Sequence, residues 1–321
     1  MNKFHIPVLL QEAIEFLQVK KNEKYIDATL GGGGHTKEIL TRGGIVLGID
    51  VDQDALDYVE KNFKFQISRL PKPASPHAKQ SEAARGTGGQ VNFKLTLAKG
   101  NFRDIEKIAH LHNFGEVSGI LFDLGISSHQ IDTPERGFSF LKEGPLDMRM
   151  DKDLGVTAET LVNVLTKGEL YDLFNKIGQE HRAFAISNSI VKSRGVKAIK
   201  TTGDLAKLIE KTYGIKGDAS YFTKNAVNKR VFQALRIAVN TELENLEEAL
   251  PKAVYLLKKR GRIVVISFHS LEDRIVKRAF LDFEKKKLGR VITAKPVLPA
   301  KKELEKNPRA KSAKLRVFEK N

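Results

Sequence analysis

Three apolar runs in the first 123 residues each end on an aspartate: "YID" at Tyr25–Asp27, "IVLGID" at Ile45–Asp50, and "GILFD" at 119–123. A fourth run, "KLTLAK", ends near Lys99. Helical patterns, beginning at Thr36–Thr41 and over Gln53–Asn62, alternate with them. Strand–helix alternation with nearly continuous apolar strands predicts a parallel sheet covered on both faces. Ligands of such sheets bind beyond the carboxyl ends of the strands, which is where these aspartates emerge.

The first strand runs into "DATLGGGGHT", four glycines between a strand and a helix. Glycines there let backbone N–H groups and a helix N-terminus approach a ligand closely, because no Cβ intervenes. A phosphate-binding P-loop requires Lys and then Ser or Thr after its last glycine. Here His35 and Thr36 follow, so that reading fails. A dinucleotide fingerprint counted from Gly31 requires a sixth-position glycine and meets Thr36 instead. S-adenosylmethionine carries no pyrophosphate. It requires close backbone approach and an acid at the end of the next strand to accept ribose hydroxyls, and Asp50 occupies that place.

The chain has 321 residues, 41% of them hydrophobic, which suits two domains or one domain with a large insertion. No apolar run is long enough to span a membrane, and the N-terminal stretch mixes charge with its apolar residues, against a signal peptide. There are no cysteines, which excludes disulfides, thiolate metal sites and a cysteine nucleophile and agrees with a reducing cytoplasm. No dense cluster of metal-ligating residues stands out. The net charge is +16, and Lys285–Asn321, with 13 basic and 3 acidic residues, carries +10 of it. Such a balance favours a polyanion partner.

Pro7–Leu17 reads as a helix with Pro7 in its first turn. Residues 66–92, rich in Pro, Ala, Ser, Gly and charge, read as a mobile surface loop or a locally disordered insertion. After about Gln130 strands give way to helical segments until Ala234. The expected organisation is therefore a sheet domain of residues 1–129 and 235–321 interrupted by a helical domain of 130–234. A long helix over Arg236–Leu257 leads back to a strand in "GRIVVISFHS". Val291–Ala294 and Leu315–Phe318 are expected at the sheet edge.

The motifs "DATLGGGGHT", "GIDVD", "DLGISSHQ", "ERGFSF", "GPLDMRMD", "FQALRIAVNTELENLEEAL", "ISFHSLEDRIVK" and "NPRAKSAKLR" together resemble the bacterial 16S ribosomal RNA cytosine-N4 methyltransferases of the MraW type. The resemblance covers nearly the whole chain apart from 66–92. It implies a Rossmann-like methyltransferase sheet with an inserted helical substrate domain. It also implies S-adenosylmethionine bound through Gly33, Gly34, His35, Asp50, Phe102, Asp123 and Gln130. The implied substrate is a cytosine in the decoding centre of the small ribosomal subunit. Monomer and homodimer both stay open.

Asp123 and Ser127 are the candidate catalytic acceptors for the N–H bonds of the target amine, whose lone pair is delocalised into the ring. Arg136 beside Phe138 and Phe140 suits phosphate contact and base stacking, or a cluster that orders its loop. Arg149 lies between Asp147 and Asp151, as an RNA contact or an internal salt bridge. His269 and Arg274 follow a strand at the ligand-bearing edge, and Arg309 suits backbone phosphates. Competing readings are a DNA amino-methyltransferase, which would need base flipping on a duplex, and a non-catalytic subunit-assembly factor.

Overall fold

The computed structural model describes residues 7–63, 67–68, 94–215 and 220–321, with backbone alone at 67, 68, 221 and 222. The loop expected over 66–92 lies outside the described residues except for 67–68. The chain divides into two compact units. One comprises Pro7–Leu124, Ala249–His269 and Val276–Asn321, and the other is built on Gly125–Glu248 with Ser270–Ile275.

The first unit is a Rossmann-like α/β sheet. Its strands are β1 (Lys24–Asp27), β2 (Ile45–Asp50), β3 (Ile67–Ser68), β4 (Leu95–Lys99), β5 (Val117–Asp123), β6 (Leu257–Ser267), β7 (Gly289–Val291) and β8 (Lys314–Lys320). The spatial order is β3-β4-β2-β1-β5-β6-β8-β7. The first six run parallel, and β8 is antiparallel to both β6 and β7. The chain moves outward from β1 through β2 to β4, then returns to the other side of β1 as β5. That reversal opens a crevice at the carboxyl ends of β1 and β5. The strand interiors are apolar because helices cover both faces: Ile26, Val46, Leu47, Ile49, Ile120, Leu121 and Phe122 are fully buried.

Three expectations for this unit change. The first helix is Leu10–Leu17, because Leu9 adopts a left-handed conformation (φ 51°) and its N–H donates to Glu303 Oε1 at 2.7 Å. Pro7 therefore precedes the helix. Strand β8 is not an edge strand: it inserts between β6 and β7. The helix after the glycines begins at Gly34, two residues before Thr36.

The second unit is helical, around a core that includes Leu146, Met148, Val162, Leu170, Phe174, Ile186, Leu205, Val231 and Leu235. The joints expected at 129/130 and 234/235 fall instead at Leu124/Gly125 and Glu248/Ala249. The physical reason is the helix Tyr221–Asn240, whose Val227, Val231, Phe232, Ala234, Leu235 and Val239 all belong to the helical core. The single helix expected over Arg236–Leu257 is two, Tyr221–Asn240 and Glu242–Leu256, broken at Thr241 (φ 47°). Arg236 spans the break with two 2.8 Å hydrogen bonds to Glu242. Burial opposes the charge on Arg236, yet Glu242 and Glu272 hold its pKa above the ordinary value. Among the described residues no helix is long and apolar enough to cross a membrane.

Candidate active site

Three carboxylates stand at the carboxyl ends of β1, β2 and β5, on either side of the glycine bend. Asp27 ends β1 and is 1% exposed. Its Oδ2 accepts from Thr36 Oγ1 at 2.6 Å and its Oδ1 from the Thr29 N–H at 3.3 Å. Burial pushes its pKa up, against those hydrogen bonds and the nearby His35. Asp50 ends β2. Its Oδ2 accepts from Gly31 N–H at 2.7 Å and its Oδ1 from Asp52 N–H at 2.9 Å. Burial, with Asp52 and Asp27 adding like charge, raises Asp50 to about 6 despite these donors. Asp123 ends β5, its own N–H donating to Thr29 Oγ1 at 2.6 Å.

The bend is shaped for close approach. Gly31 (φ 48°) and Gly33 (φ 72°) are left-handed. A Cβ on Gly31 would have only the Thr29 carbonyl near it, at 4.0 Å, so this flank of the bend is open. A Cβ on Gly33 would lie 3.1 Å from Phe63 and Val59, and one on Gly34 2.9 Å from Pro7. Gly33 and Gly34 are therefore fixed by packing as well as by any ligand. Their Cβ directions point into protein, and Gly31 is the glycine of the bend with room beside it.

His35 is buried at the start of the helix. Its Nε2 lies 3.2 Å from the Val8 carbonyl. A carbonyl only accepts, so Nε2 carries a proton and Nδ1 is directed elsewhere. Nδ1 lies 3.6 Å from Asp123 Oδ2. The imidazole thus lies beside the Asp123 carboxylate, beyond hydrogen-bond distance. Phe102 is half-buried in a short 3-10 turn after β4, its ring edge-on to Phe122 at 5.7 Å.

The structure brings Gly33, Gly34, His35, Asp50, Phe102 and Asp123 into the sheet unit, at the loops that follow its strands. Gln130 and Ser127 belong to the helical unit, where they form a capping box. Ser127 Oγ accepts from Gln130 N–H at 3.2 Å, and Gln130 Oε1 accepts from Ser127 N–H at 2.9 Å. The acceptor oxygens expected to serve chemistry and ligand are used in holding a helix start.

Arg136 is 5% exposed, and its Nη2 donates to the carbonyls of Arg149 and Met150 at 3.0 and 2.9 Å. Its guanidinium lies 5.9 Å from the Phe138 ring centre. Of the two readings, phosphate contact or loop ordering, these contacts favour loop ordering, because its Nη2 is engaged on two carbonyls. Arg149 is likewise committed. It forms a fork on Asp147, Nε and Nη2 each at 2.8 Å, and its Nη1 donates to Lys152 O and Leu154 O at 2.9 and 2.6 Å. Asn240 completes the brace by accepting from Met150 N–H at 2.7 Å and donating to Met148 O at 2.8 Å. His269 is half-buried just after β6, while Arg274 and Arg309 are exposed.

Sequence reasoning passed over Thr29 and Thr36, and gave Asp27 no part beyond ending its strand. Two threonines and an aspartate around a glycine run, in "DATLGGGGHT", were the available signal: small hydroxyl side chains that hydrogen-bond carboxylates within one bend.

A family model described as the MraW methylase family matches residues 2–83 and 77–321. A protein of Halothermothrix orenii named ribosomal RNA small subunit methyltransferase H is 44% identical, covering 98% of each chain. Proteins of the same name from Carboxydothermus hydrogenoformans and Coprothermobacter proteolyticus are 43% and 40% identical, with 98% of this chain and 97% and 96% of theirs covered. A sheet that gathers Asp27, Asp50 and Asp123 around a glycine bend, matched over its full length by this model and these relatives, makes the chain a member of the MraW methylase family.

Proposed function

We propose that this protein transfers a methyl group from S-adenosylmethionine to N4 of a cytosine in the decoding centre of 16S rRNA, working in the cytoplasm on the small ribosomal subunit. The observation that carries the reading is the open glycine bend tied to Asp50 through Gly31 N–H, with Asp123 on the neighbouring strand end. The names of the full-length relatives support the rRNA substrate.

When bound, S-adenosylmethionine supplies a methyl group on a positive sulfonium leaving group. The residues present fit it. Asp50 is oriented by two backbone donors and keeps lone pairs for hydroxyl donors of a ribose. The bend at Gly31 admits a ligand to backbone contact without steric conflict. Phe102 offers an apolar flank for a purine. No phosphate cradle is present in the sequence, and none is required.

The remaining work is positioning. Cytosine N4 is a weak nucleophile until its N–H bonds are held by acceptors. Asp123, fixed by Thr29 at its backbone and with His35 beside its side chain, is the acceptor assigned at the strand end. Ser127, used as a helix cap, is assigned to shaping the loop beside it.

The test is transfer of labelled methyl to small subunits from cells lacking the modification, with free 16S rRNA and DNA alongside and products mapped by mass spectrometry. Label on a single cytosine N4 of the subunit is expected. Label on DNA instead would move the activity to a DNA amino-methyltransferase. Tight subunit binding without label would make the protein a non-catalytic assembly factor.

A further inference from the structure

The opposite end of the sheet carries a cleft of about 660 Å³ that methyl transfer does not use. Six basic side chains line it, Lys20, Lys259, Arg260, Arg262, Arg290 and Lys320, against one acid, Glu319. Strand β6 shows how far it lies from the strand ends that bear the aspartates. Arg262 of β6 pairs with Glu319 of β8, and Ile266 of β6 pairs with Asp123 of β5. Four residues of strand separate the two pairs, roughly 13 Å at a rise of about 3.3 Å per residue.

The cleft is built rather than incidental. Between β5 and β6 the register slips: Val117 pairs with Leu257, but Gly119 pairs with Arg262. The surplus residues of β6 bulge outward. Arg260 takes a left-handed conformation there (φ 61°), and both Lys259 and Arg260 are exposed. Bulges of this kind re-aim side chains, and a left-handed arginine costs about 1 kcal/mol or more. Glu319, 8% exposed, receives both Arg262 Nε (2.8 Å) and Arg290 Nη2 (2.7 Å). One carboxylate between two guanidiniums leaves a positive charge over and holds both forks still. Arg262 is further tied to the Phe16 carbonyl at 2.8 Å. Lys320 Nζ donates to the carbonyls of Tyr255 and Leu257, at 3.1 and 2.6 Å. Among the described residues, no acid forms an ion pair with Lys20, Lys259 or Arg260, although Lys20 lies within the field of Glu23.

Cations gathered in a concavity repel one another, and a bound polyanion relieves that repulsion. Lys20, Lys259 and Arg260 supply the donors for phosphate oxygens, while Arg262 and Arg290, engaged with Glu319, add fixed positive charge to the same cleft. We infer that this cleft seats backbone phosphates of the RNA substrate, as a second contact remote from the reacting base. The inference rests on the rRNA reading above.

The test is a triple variant, Lys20→Gln with Lys259→Gln and Arg260→Asn. All three positions are exposed, and asparagine tolerates the left-handed backbone at 260. Binding to small subunits is measured from about 50 to 200 mM salt, together with KM for the subunit and affinity for S-adenosylmethionine. KM is expected to rise about tenfold. The slope of log affinity against log salt is expected to fall by about 2, because three cations no longer neutralise phosphates. S-adenosylmethionine affinity should hold, showing that the sheet is intact. A wild-type protein that binds and methylates subunits, with a triple variant of unchanged KM and salt slope, would overturn the cleft assignment alone. A wild-type protein that neither binds nor methylates subunits would overturn the rRNA reading, and the assignment with it.

Discussion

Two charged motif regions of this chain put their side chains to opposite uses. Around "DATLGGGGHT" the carboxylates of Asp27 and Asp50 are held by short backbone and hydroxyl donors, and Asp123 is anchored through its backbone N–H on Thr29, all three at strand ends. Around "ERGFSF" and "GPLDMRMD" the arginines are spent on the protein itself: Arg136 and Arg149 donate to carbonyls and to Asp147. The difference follows from the local structure. A strand end releases its last side chain at the sheet edge, where its neighbours are loops. A long irregular loop must satisfy its own carbonyls, and a guanidinium with five donors is suited to that.

The comparison can be broken at several points. The largest effect is expected at Asp123. Asp123→Ala should lower methyl transfer by about 10²–10⁴-fold with the fold retained, as measured by single-turnover label transfer. A loss below tenfold would remove Asp123 from the chemistry.

Arg136→Ala should act on stability first. It strips two charge-assisted hydrogen bonds from part-buried carbonyls, and the expected cost is about 2–4 kcal/mol, read as a lowered thermal midpoint. A variant of unchanged stability with weakened RNA binding would restore Arg136 to the interface.

Asp50 should show in the pH dependence of cofactor binding. Its pKa is raised to about 6, so the carboxylate that accepts ribose hydroxyls is depleted below that pH. Affinity for S-adenosylmethionine should rise from pH 5 to 7 and level off above. Asp50→Asn turns an amide N–H₂ toward either Gly31 N–H or Asp52 N–H, both donors. It should weaken binding about tenfold or more and flatten the profile, as followed by calorimetric titration.

The glycines give a smaller and sharper contrast. Gly33→Ala forces a Cβ against Phe63 and Val59 at positive φ and should cost about 1–2 kcal/mol of stability. Gly31→Ala carries the same left-handed strain (φ 48°) but meets open space, so its stability cost should be lower, while the new methyl should impede ligand approach. Equal effects of both substitutions on cofactor affinity would deny Gly31 its special place.

Much of the sheet was legible because strand interiors are apolar and end on acids: β1, β2, β4, β5 and β6 lie where the pattern put them. Illegible were features decided by distant partners. Leu9 leaves the helix because Glu303, 294 residues away, takes its N–H. Strand β8 sits inside the sheet because β7 pairs beyond it, an order that no local pattern encodes. In the site, aspartates at strand ends were visible from spacing. The burial of Arg136 was not, since its acceptors are bare carbonyls of a loop, which any sequence would supply. Thr29 and Thr36 were hidden for a related reason: hydroxyls in a turn look like ordinary turn formers until a carboxylate is seen beside them.

Hydrogen–deuterium exchange with and without S-adenosylmethionine tests the comparison most directly, because it reads both regions in one protein. Slowed exchange is expected at 29–35 and 50–52, including the Gly31 and Asp52 amides that orient Asp50, with residues 136–154 unchanged by the cofactor alone. Slowed exchange confined to 136–154, or none at the glycine bend despite saturating cofactor, would contradict that expectation.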